Sequence, residues 1–99
     1  MSDDFSFSPP AFKPGEALVG IRRTVRDWRT LTERGPGFDF KGQPVLTLEV
    51  ADGVLQARVV RQPARSPQWD THALRSSQEV RKFTDDLKKR VQQWGDRDE

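Results

Sequence analysis

Two alternating runs, residues 44–51 and 54–61, meet at Asp52-Gly53, a dipeptide whose tolerance of positive φ suits the two-residue type I′ turn of a β-hairpin. With Ala51 opposite Val54, the period of two places Leu46, Leu48 and Val50 against Val59, Ala57 and Leu55 on one face. Every residue on that face is apolar. The other face pairs Val45 with Val60, Thr47 with Arg58 and Glu49 with Gln56, so it is half polar and open to water or a partner. A slip of one residue would destroy this separation, which makes the register self-enforcing.

Such a hairpin is barely stable alone and needs a cover for its apolar face. The rest of the chain supplies two amphipathic segments. In residues 15–34, Leu18, Ile21, Val25, Trp28 and Leu31 recur at steps of three and four, the spacing of one helix face, and Gly35-Pro36-Gly37 ends the pattern. Ser76 and Glu79 form a capping box ahead of a second stripe, Val80, Phe83, Leu87, Val91 and Trp94, with Gly95 placed as an αL cap. Between hairpin and second helix, residues 68–74 show a weak alternation that allows a third strand. The expected fold is α+β in two layers: helix-strand-strand-(strand)-helix, both helices on one face of a small antiparallel sheet. Pro9, Pro10 and Pro14 make residues 1–14 an extended arm, whose Phe5, Phe7 and Phe12 are expected to pack on the domain or add a strand at its edge. Residues 15–95 form the domain, and 96–99 a charged tail.

Leu, Ile, Val and Phe make up 23 of 99 residues, enough for a modest core. With no cysteine and a solitary His72, thiolate chemistry, disulfides and multi-histidine metal sites are excluded. No cofactor or metal is expected, and a cytoplasmic location fits a cysteine-free domain. The longest apolar run, Ala17-Leu18-Val19, is far short of a membrane span, and no membrane partner is expected. Asp70, His72 and Ser76 are the sole combination resembling a nucleophile, base and orienting acid, and proximity in sequence does not make a triad. Asp85 and Asp86 each stand four residues before a cation, Lys89 and Arg90, as surface helix ion pairs do. The chain therefore reads as non-enzymatic.

Formal net charge is only +2, and the pI of 9.4 reflects the lack of groups titrating near neutrality. The distribution is less even. Arg22, Arg26 and Arg29 form a stripe beside the apolar face of the first helix, and Arg58, Arg61 and Arg65 follow from the outer sheet face into the proline-containing loop. Guanidinium groups suit phosphate, so these six define a nucleic-acid-binding reading. Against it, the outer face of the hairpin carries no aromatic on which a base could stack. Trp28 and Trp94 lie on helical apolar stripes and belong to the core, whereas Trp69 lies in a polar segment and is a candidate anchor for a partner. Two or three strands leave an unpaired edge, and Val45, Val54 and Val60 stand on the outer face. The leading expectation is a small binding or assembly module, recognising a protein or a second copy of itself as a homodimer, with nucleic-acid binding through the arginines as the alternative.

Overall fold

The structure, a computed structural model, describes residues 12–97. Helix α1 (Pro14–Trp28) is followed by five strands, β1 (Thr32–Arg34), β2 (Gly37–Phe40), β3 (Gln43–Ala51), β4 (Val54–Val60) and β5 (Trp69–Leu74), and by helix α2 (Ser77–Arg97). The strands form one antiparallel sheet in chain order, β1-β2-β3-β4-β5. The fold is therefore α+β, as expected, with two more strands than the sequence suggested.

The central hairpin adopts the expected register: Leu46 opposite Val59, Leu48 opposite Ala57, Val50 opposite Leu55 and Ala51 opposite Val54. Asp52 and Gly53 have φ of 55° and 73°, the two positive values that a type I′ turn demands. Five of the six residues of the apolar face are buried. Val50, beside the turn, keeps 42% of its surface exposed.

The first helix is shorter than its periodicity implied. It ends at Trp28, where Arg29 takes the left-handed conformation at φ 62° and donates its N–H to the Arg26 carbonyl at 3.2 Å. Leu31 is buried, as expected, but from the connection and not from a helix face. Residues 32–40, assigned in part to that helix, instead form β1 and β2 around the turn at Gly35-Pro36. Gly37, expected to terminate a helix, opens β2. At the other end α2 runs through Gly95 to Arg97, so Gly95 is no αL cap and the helix continues into the segment expected to be tail. The capping box forms in modified shape. Ser76 Oγ accepts from the Glu79 N–H at 3.2 Å, while the Glu79 carboxylate accepts from Arg75 N–H, one residue before the cap. Residues 1–11 of the arm and 98–99 of the tail lie outside the described residues.

Contacts from each helix reach the apolar side of the sheet. Phe83 of α2 meets His72 with ring centroids 5.4 Å apart, and His72 is the cross-strand partner of Ala57. Trp94 meets Phe40 at 5.8 Å. Helix α1 touches β3, β4 and α2, and Arg22 and Arg26 reach from it to Glu33, whose partner Phe38 stands opposite Leu46.

Val45 and Val60, expected on the outer face, are both 0% exposed. The register between β2 and β3 shifts at Phe38/Asp39, because Phe38 faces Leu46 while Asp39 faces Pro44. Val45 is the extra residue of a β-bulge, which breaks the alternation and turns an outward side chain into a buried one. Val60 shares its face with its cross-strand partner Trp69, a ring packed partly buried against the core. Of the three outer valines only Val54 retains solvent-facing surface.

Gly37 is held by close approach. A Cβ there would run into the backbone carbonyl of Leu46, so Gly37→Ala is expected to destabilise the protein by about 2–4 kcal/mol in urea unfolding. Arg29→Gly, which relieves a left-handed conformation unfavourable to a residue with a side chain, is expected to raise stability by about 0.5–1 kcal/mol in the same measurement.

Candidate functional site

The six arginines divide into two groups. On α1, Arg22 and Arg26 converge on Glu33 of β1, with Nη1–Oε2 at 3.3 Å and Nη2–Oε1 at 2.9 Å. Arg22 Nη2 also donates to the Gly35 carbonyl at 3.1 Å, so this side chain fastens the β1-β2 turn to the helix. Arg29 caps α1. At the far end of β4, Arg58 lies over the Trp69 ring at 5.1 Å, Arg61 binds Asp70 and Gln68, and Arg65 is exposed in the following loop. No hydrogen bond or ion pair joins the two groups among the described residues. Trp69, brought by β5, does add one aromatic ring to the outer face, and Arg58 already covers it.

Asp70 is the electrostatic centre of the β4-β5 end. Its Oδ1 accepts from Arg61 Nε at 3.1 Å and its Oδ2 from Arg90 Nη1 of α2 at 3.3 Å. Arg90 Nη1 also donates to the Val60 carbonyl at 3.2 Å, and Trp94 Nε1 to the Arg61 carbonyl at 3.2 Å. The end of β4, the start of β5 and the second half of α2 are thus tied together. The Arg61 hydrogen bond holds the Asp70 carboxyl below its ordinary range, against an opposing push from desolvation and with help from Arg90. Asp70, His72 and Ser76 do not assemble as a triad: Asp70 is engaged by the two arginines, His72 lies tilted against the Phe83 ring, and Ser76 accepts from a helix amide.

The sheet ends in two very different edges. β1 is three residues long, wholly exposed, and carries Glu33 and Arg34, the short charged edge by which proteins avoid unwanted strand pairing. β5 is six residues long, and its sequence WDTHAL contains neither lysine nor proline. Its pattern of free backbone groups follows from the ladder. Arg61 N–H donates to the Gln68 carbonyl at 2.9 Å, so Arg61 and Gln68 are a hydrogen-bonded pair. Alternation then makes Val59–Asp70 and Ala57–His72 bonded pairs as well. Trp69, Thr71 and Ala73 consequently turn N–H and C=O outward, to the side on which no strand lies among the described residues.

Beside this edge runs a groove of about 540 Å³ between β5 and α2, lined by Thr71 and Ala73 of the strand and by Lys82, Phe83, Asp86 and Arg90 of the helix. A larger groove, about 1090 Å³, lies between α1 and the start of α2 and is lined by Ala17, Gly20, Ile21 and Val80 among others. Both helix starts line it, and the N–H groups of a first helical turn do not form the regular ladder of alternating donors and acceptors that a strand edge presents. The β5 edge offers such a ladder beside a groove.

The sequence singled out Trp69 as a candidate anchor and His72 as the sole candidate base, but neither Thr71 and Ala73 of the same strand nor the α2 residues across the groove. The signal was present in the alternation of residues 68–74, too weak to fix the strand without its pairing to β4. Comparison of the chain with protein-family models, with curated proteins and with solved structures finds no match to any of them. Among the described residues no helix is long and apolar enough to cross a membrane.

Because the Asp70 carboxyl is held below its ordinary value, its contribution to stability is present above about pH 4 and disappears as pH falls through the lower value of the folded state. Asp70→Asn is therefore expected to lower Tm near neutrality and to flatten the loss of Tm as pH falls below about 4. Equal acid slopes in parent and variant would contradict the clamp.

Proposed function

We propose that the protein is a non-enzymatic interaction module that takes up an extended polypeptide segment along β5, by adding it to the sheet as a further strand. The observation that carries this reading is the outward row of N–H and C=O groups at Trp69, Thr71 and Ala73 on an edge without lysine or proline. Backbone hydrogen bonds would supply affinity in such a complex. The groove walled by Phe83, Lys82, Asp86 and Arg90 would receive alternate side chains of the incoming strand, and Trp69 would meet those on the other face.

Nucleic-acid binding through Arg22, Arg26, Arg29, Arg58, Arg61 and Arg65 has less support. Arg22, Arg26 and Arg61 are spent on carboxylates of the same chain, and Arg58 on an indole. Releasing them for phosphate would cost the contacts that hold β1 and β5 in place.

The reading is tested with a library of extended peptides selected on the full chain, binding sites being mapped by amide chemical shifts. Selected peptides are expected to perturb the amides of Trp69, Thr71 and Ala73 and to lose at least about tenfold in affinity on Thr71→Pro, which removes an outward N–H. Failure to select any binder, or binders that map to the groove between α1 and α2 and ignore Thr71→Pro, would overturn it.

A further inference from the structure

We infer that the strand accepted by β5 is β5 of a second copy, joined antiparallel across a two-fold axis at Thr71. This rests on the reading of β5 as a strand-accepting edge and adds the identity and register of its partner.

With the axis on Thr71, the outward-facing residues become the bonded pairs: Thr71 meets its own copy and Trp69 meets Ala73 in both directions, for up to about six backbone hydrogen bonds. The side chains fit in the same register. Trp69, the largest residue of the strand, stands opposite Ala73, the smallest, on the outer face. On the other face Asp70 stands opposite His72, twice per interface, so a carboxylate faces an imidazole able to donate to it. His72 is exposed and lies tilted against the Phe83 ring in the same groove, and Asp70 keeps about a quarter of its side-chain surface accessible. Arg61 and Arg90 use one lone pair on each Asp70 oxygen, which leaves the carboxylate able to accept from a further donor.

Neighbouring registers lack this match. An axis shifted to Asp70 would set two carboxylates face to face, and one shifted to His72 would oppose two imidazoles while reaching past the end of the strand. Each also has fewer outward groups to bond, because Pro67 has no N–H to offer and Arg75 lies beyond β5. The strand reads almost as its own complement: large against small, acid against base, hydroxyl against hydroxyl. A symmetric pairing of this kind would join the two sheets into one continuous ten-stranded sheet and remove its open edge from solvent.

The natural absence of cysteine makes the test clean. In the full chain, Thr71→Cys would face its own copy at the separation of bonded strand residues, about 5.5 Å between Cα atoms, within disulfide range. Under mild oxidation it is expected to form a covalent dimer at least about tenfold faster than Thr32→Cys on the opposite edge. In light scattering the parent is expected to dimerise reversibly, and His72→Asp to weaken that dimer by about tenfold by placing acid against acid twice. A parent that stays monomeric up to about 1 mM, or a dimer in which Thr71→Cys gains no advantage over Thr32→Cys, overturns the inference. Should the parent be monomeric while selected peptides still perturb the β5 amides, the second-copy partner falls and the strand-accepting edge stands.

Discussion

Burial of one face of the β3-β4 hairpin is the interaction on which everything else in this molecule depends. Leu46, Leu48, Leu55, Ala57 and Val59 lie at 2% exposure or less, and their burial requires the helices to be where they are. The helical stripes answer with Ile21, Val25, Phe83, Leu87, Val91 and Trp94. Fully burying a side chain of this size contributes about 1.5–3 kcal/mol, whereas the ion pairs around the rim are partly exposed and individually weak. The polar network is better understood as orientation than as glue: Arg22 and Arg26 fix where β1 lies, and Asp70 fixes how α2 meets the last two strands.

Much of this was legible in the sequence, and the failures have identifiable causes. The register of the hairpin followed from alternation and from Asp52-Gly53, because shifting it would expose the apolar set. The apolar positions of both helices were equally clear. What escaped were β1 and β2, strands of three and four residues that are too short to establish a period. Leu31 continued the helical spacing by coincidence and concealed the end of α1 at Trp28. The bulge at Val45 was invisible for a related reason, since it depends on pairing with β2. Long periodic elements can be read locally, whereas short strands and bulges are set by neighbours far away in sequence.

The candidate site shows the same division. Composition pointed to the arginines, and the structure commits half of them to carboxylates of their own chain. Counting cations along a sequence cannot reveal this, because Glu33 and Asp70 are brought to them by strands that were unread or only weakly indicated. The edge that now carries the functional reading depends on the opposite kind of information. That reading rests on backbone groups, which every residue possesses and no motif records, and they became visible once β5 was the last strand among the described residues.

The meander topology has a consequence for how the chain reaches this state. Each strand pairs with its neighbour in sequence, so the sheet can zip up from local turns without waiting for distant segments, the arrangement associated with rapid folding. The helices are the exception: α1 packs on β3 and β4, and Arg90 and Trp94 of α2 must return some thirty residues to Val60 and Arg61. During synthesis the nascent sheet therefore stands with part of its greasy side bare until α2 has emerged, a window in which a bystander chain can adhere. Speed of helix docking, more than speed of sheet formation, then governs how safely this protein matures.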